Sequence, residues 1–118
     1  MTLQEFYAGI NENCDEVLKR FGGSSAMLEK FLKKFLDDAT YTQLAEAMSS
    51  GDRDAIFRAA HTMKGLAGNF DFKELQSLAA KIVEEYRANN DSAIPALFEK
   101  LKVSYEGVTS ALKAYFGL

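Results

Sequence analysis

The stretch Asp52-Arg53-Asp54-Ala55-Ile56-Phe57-Arg58-Ala59-Ala60-His61-Thr62-Met63-Lys64-Gly65-Leu66-Ala67-Gly68-Asn69-Phe70 decides how the chain is read. Asp52 ends the turn Ser49-Ser50-Gly51-Asp52 and is a capping residue type, and behind it Ile56, Ala60, Met63, Ala67 and Phe70 recur at the spacing of one helix face. At about 100° per residue these five side chains fall within roughly 40° of one direction, which marks the side turned to a core. A helix running from Asp52 to Phe70 is predicted.

The same reading extends in both directions. Downstream, Asp71 is taken as the cap of a further helix with Leu75, Leu78, Ala79, Ile82, Val83 and Tyr86 inward. Asn89-Asn90-Asp91-Ser92 then turns into a last helix holding Leu97, Leu101, Val108, Leu112 and Phe116, with Pro95 in its first turn. Upstream, Ser24 or Ser25 caps a helix whose residues Leu28, Phe31, Leu32, Phe35, Leu36 and Ala39 give a broad buried face. Beyond Thr40 the stripe shifts phase to Leu44, Ala47 and Met48, so either a new helix begins near Asp38 to Thr40 or one helix kinks there. Two short helices precede these, one with Leu3, Phe6, Tyr7 and Ile10 on a face, the other with Val17, Leu18 and Phe21 before Gly22-Gly23.

Strand-like alternation is absent, the chain has one Pro, and good helix formers fill most segments. The expected fold class is all-α. Short turns between amphipathic helices imply antiparallel neighbours, so the last four long segments predict an up-down antiparallel four-helix bundle with the short N-terminal helices covering one end. With 118 residues, 47% of them hydrophobic and 26% charged, residues 1–118 are expected to form a single domain.

Composition also bounds function. The lone Cys14 cannot form an internal disulfide and the N-terminus lacks a basic segment followed by an apolar run, so a cytoplasmic location is expected. No stretch approaches the roughly 20 apolar residues of a membrane span, and a net charge of -3 with scattered Lys and Arg gives no basic stripe for nucleic acid. Membrane and nucleic-acid partners are not expected, and a monomer is the simpler expectation.

On the helix wheel His61 lies about 140° from the core direction, Gly65 about 180° and Gly68 about 120°, with Lys64 and Phe57 on the flank nearer His61. A lone histidine is ordinarily a surface or core residue without chemistry, but its neighbours argue otherwise. Glycine inside a helix costs about 1 kcal/mol relative to alanine, and Gly65 stands one turn beyond His61, where any side chain would lean over the imidazole. Its absence leaves room for a phosphoryl group and an approaching partner. Lys64 can offset the added charge of about -2, or is a solvated helix lysine. Gly68 either extends the clear strip or begins to end the helix, and Phe57 is either the apolar rim of a docking site or a packing residue.

Imidazole, with an ordinary pKa near about 6.5, is a nucleophile at physiological pH without an activating base. Asp54, almost two turns back, is the one acidic residue with any claim to orient His61, and no second His or clustered Cys is present for a metal. A hydrolase or metalloenzyme therefore lacks parts, and with no Gly-rich phosphate loop no kinase or ATPase activity is expected.

The stretch Ala60-His61-Thr62-Met63-Lys64-Gly65 closely resembles the A-H-x-L-K-G signature of histidine-containing phosphotransfer (HPt) domains. Phe35-Leu36-Asp37-Asp38, then Leu44 and Met48, then Gly51-Asp52, resemble the family's upstream pattern, and Gly68-Asn69-Phe70 with Leu75, Leu78 and Ala79 continue it downstream. The resemblance runs from Leu28 to Tyr86. It implies phosphorylation at His61, electrostatic support from Lys64, clearance from Gly65, and docking of a receiver domain across this face, with Phe57 and Gly68 as candidate contacts. It further implies exchange of the phosphoryl group with aspartates of response-regulator receiver domains and with a hybrid sensor histidine kinase, the Mg²⁺ residing in the receiver and no cofactor in this chain. The family often has Gly where this chain has Asp71, which bears on receiver preference. The alternative is a helical adaptor that binds receiver-like partners without being phosphorylated.

Overall fold

A computed structural model describes residues 1–118. The chain forms seven α-helices and no strand: α1 (Leu3–Gly9), α2 (Cys14–Arg20), α3 (Ser25–Asp37), α4 (Thr40–Ser50), α5 (Arg53–Asn69), α6 (Lys73–Arg87) and α7 (Ile94–Phe116), with a 3-10 turn at Asp91–Ala93 leading into α7. The fold is all-α, as the periodicity implies.

Polar side chains start most of the helices where the sequence places them. Thr2 accepts from the Glu5 N–H at 3.0 Å while Glu5 accepts from the Thr2 N–H at 3.1 Å, a reciprocal cap that satisfies two orphan donors. Asn13 caps α2, Ser24 rather than Ser25 caps α3, and Asp52 accepts from the Ala55 N–H at 3.1 Å to open α5. Gly51 closes α4 with φ 71°, a left-handed conformation that costs glycine nothing.

The phase change after α3 is a true interruption. Asp38 leaves the helix with φ −73° and ψ 135°, and its carboxylate accepts from the Thr40 N–H at 2.8 Å, so one residue stops α3 and starts α4. The two pieces, of 13 and 11 residues, together match the 23 residues of α7, along which they run antiparallel. The Tyr115 hydroxyl donates to Glu29 at 2.5 Å, Phe35 meets Tyr105, and Tyr41 stacks on Tyr105 at 4.1 Å and on Phe98 at 6.0 Å. Helices α4 to α7 form the antiparallel bundle, and α3 prolongs the α4 side of it.

All seven helices feed one cluster of 27 buried apolar residues. The two short N-terminal helices are part of it, since Phe6, Tyr7 and Val17 are almost fully enclosed. Tyr7 stacks on Phe72, which packs in turn against Phe35 and Phe70. Burial pushes the Tyr7 phenol far above its ordinary value, and its hydroxyl has no hydrogen-bond partner.

Three expectations are corrected. Asp71 does not cap α6: it lies at φ +55°, and its carboxylate turns to Arg20 at 2.7 Å. Helix α6 therefore begins after Phe72 without a side-chain cap. Phe31 sits at the edge of the α3 face, 37% exposed, where it meets Phe21 and carries the Lys34 ammonium over its ring. Ala39, expected on the same buried face, is exposed, because α3 already ends at Asp37.

Candidate functional site

Helix α5 buries Ile56, Ala59, Ala60, Met63 and Ala67 and turns His61 and Gly65 outward, with Lys64 half-buried between them. The wheel orientation drawn from the sequence is the one observed. Spacing alone puts these three residues on neighbouring positions of one face, three and four residues apart. Lys64 has no acidic partner among the ion pairs of the chain, which join Lys19 to Glu16, Arg20 to Asp71, Arg53 to Asp91 and Lys73 to Glu12. Its ammonium is uncommitted.

The two glycines differ. A Cβ at Gly65 would meet no atom within 4 Å, whereas a Cβ at Gly68 would lie 2.7 Å from Nε2 of Gln76 on α6. Packing within the chain therefore does not require glycine at 65. At 68 the open side faces the neighbouring helix, and the Gly68 carbonyl accepts from Arg20 Nη1 at 3.4 Å. Gly68 stands next to the last residue of α5.

Phe57 is half-buried and fully engaged. Its ring stacks on His61, with centroids 5.9 Å apart and planes 20° apart, and on Tyr86 at 4.5 Å. The Arg87 guanidinium lies 5.6 Å from its centroid. Asp54 does not approach the imidazole; it accepts from the Tyr86 hydroxyl at 2.7 Å, a bond that holds the Tyr86 phenol above its ordinary value.

Arg53, the first residue of α5, fastens the start of that helix to the end of α6. Its guanidinium donates to the Tyr86 carbonyl at 2.7 Å, to Asn89 at 2.8 Å and to Asp91 at 2.8 Å. An arginine at a helix C-terminus satisfies orphan carbonyls and complements the dipole there. Arg53 and Tyr86 were not legible as site residues, although a tyrosine at the end of an apolar stripe needs a partner for its hydroxyl.

On the other flank of α5, a groove against α4 is lined by Gln43, Glu46, Arg58 and Thr62 among others, and Thr62 donates to the Arg58 carbonyl at 3.0 Å. No group of three His, Cys, Asp or Glu side chains converges as metal ligands would. The exposed imidazole thus lies one turn from an uncrowded glycine and beside an uncommitted lysine.

The sequence model of the Hpt domain matches residues 26–114. The chain belongs to the Hpt domain family. The matched span starts within α3 and ends within α7, so α4 to α6 and all but the last two residues of α7 fall inside it and α1 and α2 lie outside. Neither the curated proteins nor the solved structures give a significant match. Membership implies a part in phosphotransfer within two-component phosphorelays, with receiver domains and kinases as the partners. No helix of this Hpt domain is long and apolar enough to cross a membrane.

Proposed function

We propose that this Hpt domain is a phosphoryl carrier that accepts a phosphoryl group on His61 and exchanges it with receiver-domain aspartates. The observation that carries the reading is Gly65: a glycine in the interior of α5, one turn beyond an exposed histidine, where a Cβ would meet nothing within 4 Å. The helix forgoes about 1 kcal/mol of intrinsic stability there; what sets this glycine apart from Gly107, equally open within α7, is its place beside the exposed imidazole, where the clearance suits a phosphoryl group arriving from outside.

In the transfer, the Nε2 lone pair of neutral His61 forms the N–P bond as the P–O bond to the receiver aspartate breaks in line. The aspartate leaves as a carboxylate with the electron pair, and the proton on Nδ1 stays with the ring. The reverse step returns the group to another receiver. Such a transition state spreads charge over the equatorial phosphoryl oxygens, so catalysis is largely positioning and electrostatics. Lys64 supplies a point charge from this side, while Mg²⁺ and most of the stabilisation belong to the receiver. On this reading the chain is a cytoplasmic monomer with no cofactor and no kinase activity of its own, and a hybrid sensor kinase stands upstream.

The test is transfer of labelled phosphate from a phosphorylated receiver to the protein and to His61→Gln. An acid-labile, alkali-stable label that disappears in the variant is expected. Binding of receivers with no label on His61 would instead identify a helical adaptor.

A further inference from the structure

His61 lies at one end of a stack that crosses from α5 to α6. Its imidazole rests on Phe57, with centroids 5.9 Å apart and planes 20° apart. Phe57 rests on Tyr86 at 4.5 Å and 25°, and the Arg53 guanidinium carbon lies 4.0 Å from the centroid of the Tyr86 ring. Three of the four members are on α5, at positions 53, 57 and 61, each one turn from the next. Tyr86 is the member contributed by another helix.

The far end of the stack is fixed and the near end is free. Tyr86 is held by its hydroxyl, which donates to Asp54 at 2.7 Å, and by its carbonyl, which accepts from Arg53 at 2.7 Å. Arg53 is itself tied to Asn89 and Asp91. Phe57 is enclosed between these groups and the Arg87 guanidinium. The imidazole, in contrast, has the Phe57 ring as its one aromatic neighbour, and no side-chain carboxylate orients it.

Resting on the carrier reading above, we propose that Tyr86 is a positioning residue for phosphoryl transfer at His61: it immobilises Phe57, and the Phe57 face sets the plane of the imidazole. An in-line displacement needs the Nε2 lone pair aligned with the breaking P–O bond, so the rate scales with the fraction of histidines in the productive orientation. An unsupported histidine on a helix keeps two χ1 wells, the third being closed by the preceding turn, each with a broad, roughly two-fold ring torsion. Releasing the stack therefore lowers the maximal transfer rate by about 3-fold or more, without changing the surface that the receiver first meets.

The experiment follows single-turnover transfer from a phosphorylated receiver to the full chain, to Tyr86→Leu and to Tyr86→Phe, over a range of receiver concentrations. Proton NMR of the His61 ring is recorded in parallel, since stacking on Phe57 displaces its carbon-bound protons by ring current. Expected for Tyr86→Leu is a fall of about 3- to 10-fold in the maximal rate, an unchanged half-saturating receiver concentration, and His61 signals moved toward those of a free imidazole. Tyr86→Phe, which keeps the ring and loses only the Asp54 bond, should recover most of both. If Tyr86→Leu does not fold, Phe57→Leu removes the middle ring and must give the same fall in maximal rate and the same shift of the His61 signals; half-saturation is not compared for this variant, because Phe57 is itself a candidate receiver contact. An unchanged maximal rate, unmoved His61 signals, or an effect confined to half-saturation overturns the assignment. Failure to label the wild type would overturn the carrier reading itself, a different outcome from equal labelling of wild type and variant.

Discussion

Arg20 on α2 reaches the carboxylate of Asp71 at 2.7 Å, and Asp71 holds that pose from a left-handed backbone at φ +55°. The Asp71 side chain is about nine-tenths buried and that of Arg20 about half exposed, so the pair joins the N-terminal helices to the α5–α6 turn. The backbone conformation accounts for the frequency of glycine at this position in the family, because a left-handed residue with a Cβ costs roughly 1–2 kcal/mol. Asp71→Ala loses the ion pair and keeps the strained φ, whereas Asp71→Gly loses the pair and relieves the strain. Urea unfolding should find Asp71→Ala less stable than Asp71→Gly by about 1 kcal/mol, and Arg20→Ala should be destabilised by roughly 1–2 kcal/mol for leaving a largely buried carboxylate unpaired.

Gly65 predicts a separation of stability from activity. A Cβ there contacts nothing within 4 Å, so Gly65→Ala should raise the unfolding free energy by about 0.5–1 kcal/mol through helix propensity alone. The same methyl group stands over the approach to His61, and phosphotransfer should fall. Gly68→Ala is the control: it must displace the flexible Gln76 amide from 2.7 Å, which offsets the propensity gain, while the rate of labelling at His61 should change less. Equal effects of the two substitutions on labelling would remove the special role given to Gly65.

The bundle and the outward pose of His61 were legible because both follow from one period: the residues that bury α5 leave position 61 on the far side. The Asp52 cap and the Gly51 stop were legible for the same local reason. Asp71 was misread because a carboxylate ahead of a helix looks like a cap whatever its φ, and only the tertiary placement of Arg20 decides where it points. Tyr86 does pack against the core at the end of the apolar stripe of α6, but its tie to α5 was not legible, because its partners Asp54 and Phe57 lie 32 and 29 positions earlier in the chain. Periodicity shows which side of a helix is covered, but not which residue of another helix lies beside it.

All five tyrosines, at positions 7, 41, 86, 105 and 115, have phenols raised above their ordinary value. Burial is the leading cause at Tyr7, Tyr41, Tyr105 and Tyr115, the last pushed up to about 12, and the Asp54 hydrogen bond leads at Tyr86. A group raised in the folded state loses its proton first in the unfolded chain, so this contribution to stability is complete below the unfolded phenol value of about 10 and declines as pH rises from there through the folded values. Alkaline titration followed by tyrosinate absorbance should show less ionisation near pH 10 than five free phenols would give, and then a cooperative rise coinciding with loss of helical circular dichroism. Five independent titrations near the ordinary value, with the helices intact, would contradict the packing of these rings.

Helices α1 and α2 lie outside the span matched by the Hpt domain, yet Phe6, Tyr7 and Val17 are at most 2% exposed. Each large side chain of this kind contributes about 1.5–3 kcal/mol by burial, against a typical total stability of about 5–15 kcal/mol. Deleting residues 1–23 would also uncover Phe72, which packs on both Phe6 and Tyr7, and would leave Asp71 without Arg20 and Lys73 without Glu12. The truncated chain should therefore unfold at much lower urea concentration, or fail to unfold cooperatively, even though it retains every bundle helix and the whole of the His61 face. An unchanged unfolding midpoint would mean that the N-terminal helices are an appendage, while a lower midpoint with labelling of His61 intact in the folded fraction would separate their task, sealing the end of the core, from the chemistry on α5.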